Sequence, residues 1–180
     1  MMNALKDYSI NFKGLKNGIH HYDFRVNPDF FEHFVHSEIT EGHFHIQIEL
    51  TKKTRFMVLH FIIEGNANLQ CDKCLDYFEL PLSYENDLYI KFHNEIEEED
   101  DTDIIYLSPN EDSVELAQYI YESIILSIPY KRVHPLDDSG NATCDSVMIE
   151  KLNEHEQKKE NHEQIDPRWS KLKHLLENNN

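Results

Sequence analysis

Residues 55–74 read RFMVLHFIIEGNANLQCDKC, and this stretch decides the fold. Its first half is apolar on both alternating faces apart from His60, the pattern of a strand in the middle of a sheet or inside a barrel. Gly65 allows a bend or bulge before the strand runs on through NANLQC. The run ends at Cys71-Asp72-Lys73-Cys74, where a tight turn can aim two thiolates at one metal ion.

On the N-terminal side, HFHIQIEL at 43–50 alternates strictly. Phe44, Ile46, Ile48 and Leu50 share one face, and His43, His45, Gln47 and Glu49 the other, as expected of a half-buried antiparallel strand. Residues 5–13 and 19–27 are shorter strand-like runs separated by turn chemistry from Gly14 to Gly18. Pro28 opens DFFEHFV, a short helix with proline near its first turn. On the C-terminal side, Phe78, Leu80, Leu82, Tyr84, Leu88, Ile90 and Phe92 keep one parity, so one bent strand or two collinear ones continue the sheet. Pro81 lacks a ladder donor and predicts a strand edge at that point.

The acidic run at 95–103 predicts a solvated loop, with divalent cations or basic proteins as the alternative ligands. IIYL at 104–107 is a short strand. Asp112 with Glu115 forms a capping-box pattern, and Leu116, Ala117, Ile120, Tyr121, Ile124 and Ile128 recur at helical spacing until Pro129, which predicts one main helix over 113–128. Residues 150–165 carry charge without an apolar face, a linker or an exposed helix. Asp166 and Pro167 then start a second helix whose stripe is Trp169, Leu172, Leu175 and Leu176, expected to dock on the protein's own core or on another protein. The expected fold class is α+β, a curved or barrel-like antiparallel sheet with one main helix and a separate C-terminal helix. Residues 1–148 form the β-rich domain with the CxxC knuckle, 149–165 a charged linker and 166–177 the terminal amphipathic helix.

A chain of 180 residues, 39% hydrophobic and 11% aromatic, has material for one substantial core with polar segments outside it. Acidic residues outnumber basic ones 34 to 17, for a formal charge of -17. Such a surface repels phosphate backbones at long range, so non-specific nucleic-acid binding by the whole molecule is disfavoured, while a basic partner is attracted. No apolar run reaches the length of a membrane span, and the N-terminus lacks signal-peptide zones. Three cysteines exclude a complete disulfide framework, and the chain reads as cytoplasmic, where close thiols serve metals or redox chemistry.

Zinc takes four ligands. His134 and Cys144, in the segment after the main helix, complete a Cys₃His set with Cys71 and Cys74, a structural Zn2+ site that would pin this segment to the knuckle. A reduced, metal-free pair is the plain alternative. A thioredoxin-like redox role belongs at a helix start, whereas strands flank this motif. Lys73, Lys131 and Arg132 would gather around the clip as a basic island, a place for RNA or a phosphate-bearing partner. The other constellations read blandly: His43 and His45, with His60 as a third ligand, as solvent-facing imidazoles, and Glu122 as a solvated helix residue rather than an acid or base. No GxSxG setting and no phosphate-cradling glycine loop is present.

NANLQCDKCLDYFELPL at 66–82, VELAQYIYESIILSIPYKRVHP at 114–135, Cys144, and DPRWSKLKHLL at 166–176 together resemble the YceD-like large ribosomal RNA subunit accumulation family. The likeness covers roughly residues 55–176, and the order of motifs is more specific than any one of them. The part before residue 50 fits only in its strand-rich character. The resemblance implies a bacterial cytoplasmic or plastid-type factor, without catalytic activity, that supports accumulation of large-subunit (23S) ribosomal RNA. Its partners would be large-subunit precursor rRNA or ribosomal proteins, with no membrane. Cys71, Cys74 and Cys144 match the family's cysteines, and His134 the histidine after the helix-ending proline, with a longer interval to Cys144 than in some relatives. Lys73, Lys131, Arg132, Arg168 and Trp169 are the candidate RNA or partner contacts. Two other readings stand beside this one: a metal-dependent hydrolase using the cysteine site, and an acidic interaction module for basic ribosomal proteins. The oligomeric state is left open by the sequence.

Overall fold

The structure, a computed structural model, describes residues 4–92, 103–137, 139–141 and 143–160, with side chains as far as 155. Its contacts divide the chain into two units, Met1–Asp72 with Tyr77–Arg132, and Lys73–Asp76 with Val133–Asn180.

The first unit is an α+β layer structure. Its sheet has the spatial order β2 (Gly18–Val26), β3 (Gly42–Lys52), β4 (Phe56–Gln70), β5 (Tyr77–Phe92), β6 (Ile104–Leu107). The first four strands form antiparallel neighbours. Among the described residues the sheet is open, with β2 and β6 at its edges, and is not closed into a barrel. The expectation of an antiparallel sheet also needs one correction, because β6 runs parallel to the end of β5. A second, two-stranded ribbon pairs β1 (Ser9–Asn11) with β7 (Ser113–Glu115). The strand-like run at 5–13 thus yields only a three-residue strand, after a 3-10 turn over Ala4–Tyr8.

Strand parity sets the core. Alternate residues of β3, from Phe44 to Leu50, are buried with Met57, Leu59, Phe61 and Ile63 of β4 and with Leu82, Leu88 and Ile90 of β5. Over this face lie Phe30 and Phe31 of α1 (Pro28–Phe31), Ile10 of β1, Val114 of β7, and Ile120 and Ile124 of α2 (Ala117–Leu126). Phe34, just beyond α1, stacks on Tyr121 of α2 with ring centroids 3.9 Å apart, fixing one helix against the other. β4 is the middle strand, as its two apolar faces require, and its ladders to β3 and β5 run without a register break. Gly65 therefore makes no bulge: it lies opposite Phe44, in a space that a side chain would have to share with that residue's ring and backbone. Pro81 faces Asn66 on β4, while β6 pairs only with residues 89–92, so among the described residues the proline sits on a strand edge as expected.

The main helix is shorter than 113–128. Residues 113–115 are drawn into the ribbon with β1, and the Asp112 side chain pairs with Lys13 instead of capping a helix. The Asp112 carbonyl accepts the N–H groups of Phe12 and Lys13, so pairing outside the segment overrides the local capping pattern. Where α2 meets β5, burial and then Tyr84 and Asp103 push the half-buried Tyr119 hydroxyl up to about 12, which keeps it neutral.

In the second unit, α3 (Ser146–Glu160) takes the exposed-helix option for the charged segment, over residues expected as linker. Asp145 caps it, accepting the N–H of Val147 at 3.1 Å and of Met148 at 3.3 Å. The acidic run at 95–103, apart from Asp103, and the terminal helix at 166–177, with Arg168 and Trp169, lie outside the described residues. Among the described residues no helix is long and apolar enough to cross a membrane.

Candidate metal centre

β4 and β5 form one long hairpin whose register pairs Gln70 with Tyr77, which makes Cys71–Asp76 its loop. The CxxC motif fills the first four positions of that loop. Cys71 and Cys74 are 0% and 3% exposed, burial that a reactive thiol pair on an open surface would not show. Leu75, directly after the second cysteine, has a φ of 64°, a left-handed conformation that L side chains disfavour. This strain sits in the turn that carries both buried cysteines, a setting in which strained backbone is retained. Leu75→Gly is expected to stabilise the protein by about 0.5–1 kcal/mol in denaturant titrations, the relief of left-handed strain exceeding glycine's entropy cost. A loss of stability would show that the leucine side chain matters more than the backbone.

The other two ligands come from a segment that folds back on itself. Asp137 accepts the backbone N–H of Asn141 at 2.7 Å and of Ser139 at 2.9 Å, and its own N–H reaches the Asn141 carbonyl at 2.8 Å. The bonds from Asn141, backbone first and then side chain, hold the Asp137 carboxyl below its usual range. The Thr143 hydroxyl donates to the Pro135 carbonyl at 2.7 Å. Pro135 and Thr143 are the neighbours of His134 and Cys144, so this bond draws the two ligands together across the long interval between them. His134 Nδ1 lies 3.4 Å from the Cys74 sulfur.

One ligand atom from each of Cys71, Cys74, His134 and Cys144 lies within 4.8 Å of all the others. In a tetrahedral zinc site with Zn–S of about 2.3 Å, two sulfurs stand roughly 3.8 Å apart. The cluster is on that scale, its donors are three thiols and one imidazole, and none of the cysteines is in a disulfide. The four residues singled out from sequence spacing are the four the fold assembles, and the donor set fits a borderline-soft divalent ion.

The basic residues around the turn divide. Lys73 and Lys131 are exposed. Arg132 is engaged: its guanidinium reaches Glu38 at 2.9 Å and Asp72 at 3.6 Å, while the Asp72 N–H donates to the Arg132 carbonyl at 2.7 Å and the Arg132 N–H to the Asp72 carboxylate at 2.6 Å. Asp72 and Glu38, which spacing alone does not reveal, make Arg132 a brace for the turn. Both carboxylates are substantially exposed, so Arg132→Met is expected to cost only about 0.5–1 kcal/mol. Asp72→Ala, which also strips the acceptor from the Arg132 N–H, should cost roughly 1–2 kcal/mol. Equal effects in thermal melts would remove the brace.

The remaining candidates stay apart. His45 pairs with Asp23 at 3.0 Å, and His60 with Asp87 at 2.8 Å and Glu85 at 3.4 Å, so these imidazoles face carboxylates on neighbouring strands. Glu122 is exposed and accepts a 2.6 Å bond from Gln118, one helical turn earlier.

No curated protein and no solved structure matches the chain significantly. A family model does match, over residues 59–176, from the middle strand through the cysteine–histidine cluster and beyond α3, and it is described as "Large ribosomal RNA subunit accumulation protein YceD". A match that spans more than half of the sequence and contains all four clustered residues settles the lineage: the chain belongs to the YceD family.

Proposed function

We propose that the protein is a non-enzymatic ribosome biogenesis factor of the cytoplasm that supports accumulation of large-subunit ribosomal RNA, with a structural zinc ion held by Cys71, Cys74, His134 and Cys144. The observation that carries the metal part is the convergence of four donors from sequence-distant places. The family description carries the RNA part. Four protein ligands fill a tetrahedral zinc ion, which leaves no position for a catalytic water and favours a structural role over a hydrolytic one. What the ion supplies when bound is folding energy. This chain's own part is to bury two of the thiols, to bend the turn at Leu75, and to bring His134 and Cys144 together through the Asp137 loop. Large-subunit precursor RNA or ribosomal proteins are the partners this reading implies, with Lys73 and Lys131 as exposed cations beside the turn's sequence.

The test is genetic and biochemical together. In cells lacking the gene, the ratio of large- to small-subunit ribosomal RNA should fall, and the wild-type copy should restore it. The protein should co-sediment with large-subunit precursor particles, and Cys71→Ser combined with Cys74→Ser should abolish both rescue and co-sedimentation. An unchanged RNA ratio in the deletion would end the proposal.

A further inference from the structure

We propose that the outward face of the β2–β5 sheet is a docking surface for an extended, lysine- or arginine-rich polypeptide segment. This goes beyond the role above and uses none of the four metal-site residues.

The register defines the face. Side chains opposite to the core parity form rows across four strands: His21, Glu49, His60 and Asp87 in one, Asp23, Gln47, Ile62 and Glu85 in the next, and Arg25, His45, Glu64 and Ser83 in a third. Among its strand residues this face carries six carboxylates, the five in those rows and Glu79, against two permanent cations, Arg25 and Lys91. Asp23, Glu49, Glu64, Glu79 and Glu85 are exposed. Each carboxylate has several acceptor positions, so the contacts to His45 and His60 leave capacity for an incoming cation.

The face also has shape. One depression of about 310 Å³ is lined by His21, Asp23, Gln47, Glu49, His60 and Ile62. Another, of about 470 Å³, is lined by Glu41, His43, Asn66, Asn68 and Glu79 among others. Along β3, Glu49 and His43 are six residues apart, which at ~3.4 Å per residue separates the depressions by roughly 20 Å, a distance that an extended peptide spans in about six residues. Val58 and Ile62 on the same face offer apolar surface for the alkyl stems of lysine or arginine while their charged heads reach the carboxylates. Nucleic acid is repelled by the same charge. Charge complementarity therefore selects a basic polypeptide.

The probe is a fluorescent (Lys-Thr)5 peptide, which in extended form places its lysines on one side, titrated into the full chain near physiological salt. Saturable binding is expected, with amide shift changes on β2–β5. Glu49→Lys with Glu85→Lys should weaken binding about tenfold or more, and the milder Glu49→Gln with Glu85→Gln about threefold. Glu122→Lys with Glu150→Lys changes net charge equally on exposed helical positions and should weaken binding less than about twofold. Equal weakening by the two Lys pairs would overturn the proposal, leaving only general attraction to an acidic molecule. So would shift changes confined to residues off this face, tighter binding of oligouridylate, or self-association that the Glu49→Lys, Glu85→Lys pair abolishes, which would make a second copy the occupant.

Discussion

Purified protein is expected to contain about one zinc ion per chain, and Cys71→Ser with Cys74→Ser to lose it entirely. Structural zinc in small sites contributes roughly 10–16 kcal/mol of apparent binding free energy near neutral pH, far more than any single side-chain contact. The distances along the chain set where the loss is felt: Cys74 and His134 are separated by 60 residues, so an ion that holds both closes a long loop. Chelation of the wild type should therefore raise amide exchange in Lys73–Asp76 and Val133–Thr143 while β3 and β4 stay protected, because their stability comes from a separate hydrophobic core. Elemental analysis and exchange measurements check both halves. A metal-free protein with unaltered exchange after both cysteines are replaced would leave the cluster as a reduced structural group. Cys144→Ser alone should weaken binding without abolishing it, since an oxygen replaces one of three sulfurs.

The second large effect needs no metal. Gly65→Ala should cost about 3 kcal/mol or more, seen as a fall in melting temperature of roughly 10 °C. A Cβ on Gly65 would stand 2.2 Å from the His43 carbonyl oxygen and 2.5 Å from the Phe44 ring, and much of that obstacle is backbone, which cannot turn aside as a side chain can. Gly14→Ala, where no atom lies within 4 Å of the added carbon, is the control and should change the melting temperature little. If the two substitutions behave alike, the close approach of β3 to β4 at this point is not real.

The sheet was legible because its signal is local and repeated. Strict alternation in β3 and the constant parity of β5 each specify which side faces inward, the apolar run of β4 places it in the middle, and the observed burial and strand order follow them. The start of α2 was not legible, because Asp112 and Glu115 make a respectable capping pattern, and Ser113–Glu115 gives it up for a partner strand about a hundred residues away, which no local window contains. Gly65 suggests a bend or bulge by its residue type, whereas what requires it is the close approach of the His43 carbonyl and of the Phe44 ring and backbone across the ladder. α3 left a sequence mark in Asp145 before Ser146, but without an apolar stripe the charged run stayed undecided between linker and exposed helix. The four clustered residues could be named from sequence because the chain has no thiols besides Cys71, Cys74 and Cys144, and His134 lies in the same post-helix segment as Cys144. Glu38 and Asp72 could not, since carboxylates are everywhere in this chain and only the fold says which two meet Arg132.

The pairing of Ser9 with Glu115 has a bearing on how the protein is born. Strands β2 to β5 are sequence neighbours and can zip together as they emerge during translation, each turn closing a short stretch. β1 has no such neighbour; its mate β7 is synthesised only after the entire meander. The nascent chain must therefore leave Ser9–Asn11 without its partner strand until residue 115 leaves the ribosome, so a segment made before the meander completes its ladder after it.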